Sequence, residues 1–490
     1  MRRIVVVGGG ISGLAAAHRL SELSRAHQIP LAITLLEAQD RFGGVIETEA
    51  KDGFLLEGGP DAFVSEKPWA LDLCRRLGLA DELIETQPAF RRSFIVQRGR
   101  LVPVPDGWYL IAPARLTTIF RTPLLSWPGR IRMACEPFIP TKRGDQDESV
   151  GSFIRRRFGQ EALDRIGQPM LAGIYTADPE CLSLRATMPW LADMERRHGS
   201  VIRSLGANAR KDATSTASGP RYSLFLTLRG GMRTLVHTLL RRMPEVSLRH
   251  TARVARIEPG RAWSVTLETG ELLQADALCL ALPAHVASGL MESCAPDLAR
   301  SLAGIPYESV ATVNLAFRKT DIPRPLDGFG FIVPAIERQR VVGCTFSSVK
   351  FPGRAPETCI LLRAFVGGAL HREVFALDDG ALERAVREDL RGTLGIHAAP
   401  LTVSIHRYPH AMPQYHVGHL ERVAAIEASA RRYPGLYLTG NGYRGLGLPD
   451  CIHQAETTAD RMVAEASQRS GHPDMERVGS RTPTLMQRWG

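Results

Sequence analysis

Apolar residues along this chain recur with two different periods, and their order predicts a fold before any motif is considered. The opening "RRIVVVGGG" is an apolar run closed by glycines, "ISGLAAAHRLSEL" repeats its apolar positions every three to four residues, and "LAITLLEA" is a second apolar run. That order reads as strand, turn, helix and strand, the start of a parallel sheet buried on both faces. From Phe90 to Leu205 helical spacing broken by prolines takes over, as in "SVGSFIRRRFGQEALDRI". Residues 206–220, "GANARKDATSTASGP", carry no apolar period and read as a flexible loop. Two-residue alternation returns over 245–282, with turns at Pro259-Gly260 and Thr269-Gly270. It returns again over 310–368 in "VATVNLAFRK", "FGFIVP", "VVGCTFSS" and "CILLRAFVGG". Near the end, "YLTGNGYRGLGLPDCIHQAETTADRM" repeats strand, glycine loop and helix, and the tail 467–490 reads as disordered.

A strand, glycine loop and helix at each end predicts one nucleotide-binding unit built from the discontinuous segments 1–90, 221–300 and 425–466. A helical insert, 91–205, and a β-rich substrate-binding domain, 301–424, interrupt it, and no period of 20–50 residues points to a solenoid. With 490 residues, 44% apolar and 23% charged, the chain has the composition of a soluble globular protein of several lobes. Its net charge of +10 is spread along the sequence without a basic run, which argues against a nucleic-acid partner. A basic surface still suits an acidic small molecule or an anionic membrane face. The eight cysteines are scattered, without CxxC pairs or histidines at ligand spacing, so they read as reduced thiols and no metal site is expected. The first strand starts at Ile4, leaving no leader ahead of it, and no apolar run reaches the roughly 18–20 residues of a spanning helix. The expectation is a cytoplasmic protein whose membrane contact, if any, is peripheral.

Gly8, Gly10 and Gly13 fit GxGxxG directly between a strand and a helix. The pattern allows a tight turn, lets backbone approach a pyrophosphate, and lets helix pack close to strand. Gly9, Ile11 and Ser12 complete that turn, offering N–H groups at the positive end of the helix. Glu37, at the end of the second strand, suits ribose hydroxyls and would repel the 2′-phosphate of NADP. Arg41 follows as a candidate pyrophosphate cation, and Gly43 and Gly44 let backbone pass near a flat ring.

At "EAQDRFGGVIET" the sequence resembles a group of FAD oxidases that includes amine oxidases, phytoene desaturases and porphyrinogen oxidases. "LRGGMRTLV" and Val254, whose counterpart bonds adenine through its backbone, are similar to that group too. "GFGFIVP", "TFSSVKFPGRAPE", "LLRAFVGGA", "RYPHAMPQYHVGHL", "GNGYRGLGLPDCI" and "LAGIYTADPECLSLRA" resemble the porphyrinogen oxidases of haem synthesis, in order and over nearly the whole chain. This implies an α/β (α+β) fold: a Rossmann-like FAD-binding domain of the p-hydroxybenzoate hydroxylase/amine oxidase type, a β-sheet substrate domain and a helical insert. It also implies oxidation of a porphyrinogen, protoporphyrinogen IX or coproporphyrinogen III, by three hydride transfers to flavin N5, with O2 reduced to H2O2. No strong general base is needed, which fits the absence of a catalytic triad or carboxylate pair.

Site residues follow from the same resemblance. Gly59, Pro60, Asp61 and Ala62 join the FAD contacts, and Asn441, Leu446, Gly447 and Leu448 in the late loop meet the pyrimidine edge of the flavin. Gly173 gives room for the macrocycle, Phe329, Ile332 and Phe365 sandwich it, and either Arg91 or Arg92 pairs with a propionate. FAD is expected to be noncovalent, because no cysteine or histidine stands where such oxidases link it. Residues 107–140, mixing Trp, Tyr, Leu and Arg, suggest helices over the substrate entrance with a membrane-facing surface, and a homodimer is compatible with the resemblance. One departure occurs after Cys451, where Ala455 replaces a usual glycine; His453 in the same turn reads as exposed. The alternatives are an amine oxidase or carotenoid desaturase on the same scaffold, which "GYRGLGLPD" and "FPGRAPE" disfavour, and a non-enzymatic flavin-binding protein.

Overall fold

The computed structural model describes residues 1–105, 107–211 and 225–469. Two sheets and the helices packed on them position everything else. In chain order their strands are β1 (Arg2–Val7), β2 (Leu31–Leu36), β3 (Phe94–Gln97), β4 (Arg100–Pro103), β5 (Ser247–Arg249) and β6 (Ala277–Leu280). They continue with β7 (Tyr307–Arg318), β8 (Gly330–Ile332), β9 (Val341–Thr345), β10 (Cys359–Gly367), β11 (Thr402–Pro413) and β12 (Leu436–Leu438). The main helices are α1 (Ile11–His27), α2 (Asp379–Leu394), α3 (His419–Ala430) and α4 (Leu448–Arg469).

The first sheet is parallel, in the order β5-β2-β1-β6-β12. Ile4 and Val6 of β1 point to the face covered by α1 and α4, where Leu14, Ala17, Ile452, Ala455 and Ala459 are all buried. Val5 and Val7 point the other way, onto Ile257, Trp263 and Val265 of a small antiparallel layer. Burial on both faces explains the unbroken apolar runs. Ala455, the departure noted above, is fully enclosed between α4 and its neighbours.

The second sheet, in the order β11-β7-β10-β9-β8-β3-β4, is antiparallel apart from the β8–β3 pair. Val313, Leu315, Phe331, Leu362, Ala364 and Val366 line one face under Leu382, Val386 and Leu390 of α2. The opposite face carries Thr312 and Asn314 of β7, Arg363 and Phe365 of β10, and Ser404, His406 and Tyr408 of β11.

Three sequence readings are corrected. The segment expected as a helical insert begins with the hairpin β3–β4, which extends the large sheet because "FIVQ" and "RLVP" alternate across a Gly99 turn. Trp108–Tyr109 and Ala112–Pro113 form a second small hairpin before helices appear at Leu116–Arg121 and Trp127–Ala134. Residues 206–211, read as loop, continue the helix Val201–Lys211; the remainder of that loop and 470–490 lie outside the described residues.

The helical region has its own core around Trp108, Met133, Phe153, Phe158 and Ile166. Inside it Arg157 and Glu136, both fully buried, form an ion pair, and Arg157 also reaches Glu195 at 3.4 Å. Glu136 accepts the N–H of Val201 at 3.0 Å and of Ile202 at 3.3 Å, capping the helix that starts there.

Candidate active site

Because β1 and β12 are parallel members of one sheet, both glycine loops emerge at the same edge, and α1 and α4 run back from it side by side. Their first turns meet with Ser12 beside Cys451, whose thiol donates to the Leu446 carbonyl at 3.8 Å. Burial pushes that thiol up to about 12, so it stays protonated.

The first loop is built around two glycines with different roles. A Cβ on Gly13 would lie 1.8 Å from the Gly8 carbonyl oxygen, so close helix–strand packing demands glycine there. A Cβ on Gly10 would meet nothing within 4 Å, so this backbone faces open space. No side chain caps α1 at Gly10, and no acidic residue occupies its first turn. Free N–H groups at an uncapped, uncharged helix start, beside an open glycine, fit a phosphate group.

Glu37 lies beside this cradle, its two oxygens accepting the N–H groups of Gly9 at 2.7 Å and Gln39 at 2.8 Å. Ala252 donates to the Glu37 carbonyl at 2.8 Å, which brings Val254, half-buried in the next strand, into the same neighbourhood. Gly43 donates to the Gly9 carbonyl at 2.8 Å, and Gly44 approaches Gly10. Arg41 donates at 3.2 Å both to the Ile46 carbonyl and to Glu47.

Gly59, Pro60, Asp61 and Ala62 follow a strand that leads toward the large sheet. Thr312 donates to the Gly58 carbonyl at 2.7 Å, Asn314 to that of Glu57 at 3.1 Å, and Arg363 to those of Gly58 and Gly59. Burial raises the Asp61 carboxyl, but Lys350 at 3.0 Å and Arg363 at 3.8 Å outweigh it, leaving the group below its ordinary value and ionised. With its side chain so engaged, Asp61 fixes the segment rather than reaching outward. Arg363 Nε, Asn314 Oδ1 and the Tyr408 hydroxyl have no hydrogen-bond partner there although buried. Such orphaned groups at an interface between lobes fit a polar ligand lying between them.

In the second loop Gly447 is exposed, Leu448 is buried, Leu446 is partly buried, and Asn441 donates to the Ala411 carbonyl at 3.3 Å. Asp450, in the first turn of α4, is neutralised by Lys67 at 2.7 Å. His453 is exposed as expected, its ring stacked on Trp69 at 4.0 Å.

On the large sheet, Ile332 and Phe365 are half-buried on the face turned toward this loop-lined edge, paired across Gly343. A Cβ on Gly173 would touch Ile332 at 3.3 Å. Phe329 precedes β8, only 4% exposed, its N–H on the Arg92 carbonyl. Arg92 pairs with Asp327 at 3.0 Å on the exposed surface; Arg91 pairs more loosely with Glu85 at 3.9 Å, and its buried Nε has no hydrogen-bond partner. Sequence reading missed Arg363, Lys350, His406, Tyr408, Tyr415 and His419. Alternation in "TVSIHRY" was the available signal, since it puts Ser404, His406 and Tyr408 on one face.

The model of the family "Flavin containing amine oxidoreductase" matches residues 11–463. A protein named Coproporphyrinogen III oxidase from Propionibacterium freudenreichii subsp. freudenreichii is 35% identical, covering 98% of this chain and 94% of its own. Another of that name from Bacillus subtilis (strain 168) is 33% identical, covering 93% of this chain and 96% of its own. A crystal structure named for a protoporphyrinogen oxidase from Exiguobacterium sp. 255-15 superposes with a TM-score of 0.83 at 31% identity, covering 95% of this chain and 99% of that one. The chain belongs to the flavin-containing amine oxidoreductase family. It is therefore a flavin-dependent oxidoreductase with an α/β flavin-binding fold.

Proposed function

We propose that this protein oxidises a porphyrinogen to the corresponding porphyrin, with FAD held noncovalently between its two glycine loops. The observation that carries the reading is the packing of Gly173, in the helix Gln168–Tyr175, against Ile332, which shares a half-open sheet face with Phe365. It is supported by the names of relatives that match from end to end.

Bound there, FAD supplies a two-electron hydride acceptor. The pyrophosphate is received by Gly8–Gly13 and Arg41, the ribose by Glu37, adenine by the Val254 backbone, and the flavin edge by Gly59–Ala62, Asn441 and Leu446–Leu448. Ile332 and Phe365 hold the macrocycle by its faces, and Gly173 leaves space against Ile332. Arg91 takes a propionate, because its Nε lacks a hydrogen-bond partner and its ion pair with Glu85, at 3.9 Å, is looser than that of Arg92 with Asp327 at 3.0 Å. In each of three steps a meso carbon loses a hydride and a pyrrole nitrogen loses a proton, and a proton shift from the fourth meso carbon to a ring nitrogen completes the porphyrin. Six electrons pass in all to three O2, giving three H2O2. Aromatisation drives the sequence, so the protein's part is positioning and exclusion of water.

Parallel fluorescence assays on coproporphyrinogen III and protoporphyrinogen IX test this. Porphyrin formation from either, with anaerobic bleaching of the flavin, is expected, and the faster one identifies the substrate. Silence with both refutes the activity.

A peripheral membrane contact belongs to the same proposal. Leu116, Phe120, Trp127, Ile131 and Phe138 are exposed by 43–79%, with Arg130 stacked over Trp127 at 4.8 Å. Among the described residues no helix is long and apolar enough to cross a membrane. Co-flotation with anionic vesicles, weakened by Phe138→Ser, is expected; no flotation at low salt refutes the contact.

A further inference from the structure

Between Gly440 and Gly447 the late glycine loop lacks ladder partners, so side chains from elsewhere must hold it. Gln454 of α4 accepts the Arg444 N–H at 3.2 Å and donates to its carbonyl at 2.9 Å. Arg444 pairs with Glu427 at 2.8 Å and Asn441 donates to the Ala411 carbonyl at 3.3 Å, and two residues after β11 grip the loop's own backbone. The Tyr415 hydroxyl donates to the Asn441 carbonyl at 2.5 Å and accepts the Gly445 N–H at 2.9 Å, spanning the turn. The His419 ring lies flat on that of Tyr415, centroids 3.8 Å apart and 13° from parallel. Its Nε2 sits 2.9 Å from the Tyr443 carbonyl.

Both side chains are enclosed, Tyr415 at 2% and His419 at 0% exposure. A carbonyl only accepts, so Nε2 carries the proton, and Nδ1, which has no partner, carries the lone pair. His419 opens α3, and burial holds its imidazole near 4, so it is a neutral donor throughout the physiological range. The pair therefore fixes three backbone groups within five residues, just before the loop delivers Gly447 and Leu448 to the edge of the sheet. Tyr415 is also tied to the helical region: its carbonyl accepts the Ser183 N–H at 2.7 Å, and Val417 donates to Cys181 at 3.0 Å.

We infer that Tyr415 and His419 are positioning residues that hold Asn441–Gly445 so that the amides at the start of α4 face the flavin and favour its reduction. This rests on the flavin placement proposed above. Hydrogen bonds aimed at charge that develops during reaction are effective only when held in advance. Neither side chain needs to touch the cofactor.

The test uses the FAD-loaded full-length protein. Tyr415→Phe keeps the stacked ring and removes only the hydroxyl bridge. A tenfold shift of the flavin's reduction equilibrium toward the oxidised form is expected, about 30 mV for a two-electron couple. The kcat for porphyrinogen should fall about tenfold with KM unchanged, because the substrate face of the large sheet is untouched. His419→Leu should lower the potential similarly, and His419→Gln, whose amide N–H reaches the same carbonyl, should restore it. This second series stands even where Tyr415→Phe does not fold. An unchanged potential in both Tyr415→Phe and His419→Leu, or a loss of potential in His419→Gln equal to that in His419→Leu, overturns the inference. A parent protein that binds FAD but oxidises no porphyrinogen overturns the activity instead, and leaves the comparison of potentials readable.

Discussion

Two alanine substitutions in the first glycine loop separate the ligand cradle from the fold that carries it. At Gly10 the added Cβ meets no protein atom within 4 Å, and the backbone there, φ −70°, suits any residue. Gly10→Ala is therefore expected to leave the melting temperature of the apoprotein unchanged. Its methyl occupies the space where a pyrophosphate would approach the backbone. Displacing that group by about 1 Å breaks hydrogen bonds that tolerate only a few tenths of an ångström. Two charge-assisted bonds at about 1.5–3 kcal/mol each give a loss of about 3–6 kcal/mol, roughly 10²- to 10⁴-fold in the FAD Kd. At Gly13 the Cβ would fall 1.8 Å from the Gly8 carbonyl oxygen, where contacts below 3.0 Å are essentially never seen. Helix and strand must part by at least about 1.2 Å, so Gly13→Ala should cost about 1–3 kcal/mol of stability as well as FAD affinity. Titration of each apoprotein with FAD, followed by flavin fluorescence and paired with thermal melts, reads both quantities. Gly10→Ala binding FAD within threefold of the parent would refute the cradle.

Three further predictions follow from charges. Arg91→Ala should raise KM for the porphyrinogen about tenfold or more while Arg92→Ala changes it less than twofold, and the reverse pattern in steady-state assays would reassign the propionate partner. Burial pushes the Glu57 carboxyl from its ordinary 4.5 to about 7, against hydrogen bonds from Met232 and Thr48. Because the folded-state value is raised, the stability it allows is fully present below pH 4.5 and is lost as pH rises to 7, up to roughly 3 kcal/mol. Glu57→Gln should thus stabilise the protein at pH 8 but not at pH 4.5, and a pH-independent difference in urea titrations would contradict this. Arg157→Met leaves Glu136 buried without its cation and should cost about 3–5 kcal/mol. Adding Glu136→Gln should recover part of that loss, and denaturation showing no recovery would mean that charge burial is not the cause.

What the sequence made legible was whatever local rules dictate. The apolar runs at Arg2–Val7 and Leu31–Leu36, the helical period of "ISGLAAAHRL" and the glycines between them each constrain their own few residues. They were read with the right period. The helix Val201–Lys211 was cut short because Gly206 and the small residues after it resemble loop composition, whereas Glu136, distant in sequence, caps its start and packing sustains it. The hairpin β3–β4 was hidden for a similar reason: four-residue strands become visible only once β8 supplies a partner.

The strand β11 carries this point into the site itself. Its "TVSIHRYPHAMP" holds serine, two histidines, an arginine and two prolines, a composition that discourages assignment to a sheet. Yet the alternation is intact: Val403 and Ile405 pack against the apolar core, while Ser404 and His406 reach Glu49 and Glu47 across the lobe boundary and Tyr408 shares their face. The polar positions exist because that face of the sheet meets another lobe, where a purely apolar face would leave the backbone carbonyls and carboxylates of 47–61 without donors. The same reasoning explains the two similar glycine loops at the chain's ends. Each is locally sufficient to be recognised, but their relation, emergence at one sheet edge with Ser12 against Cys451, is set by strand order, with β6 lying between β1 and β12. Residues that act across such a boundary, Tyr415 and His419 among them, have no local signature, since the groups they hold lie 24 to 30 positions away and become neighbours only when the sheet is assembled.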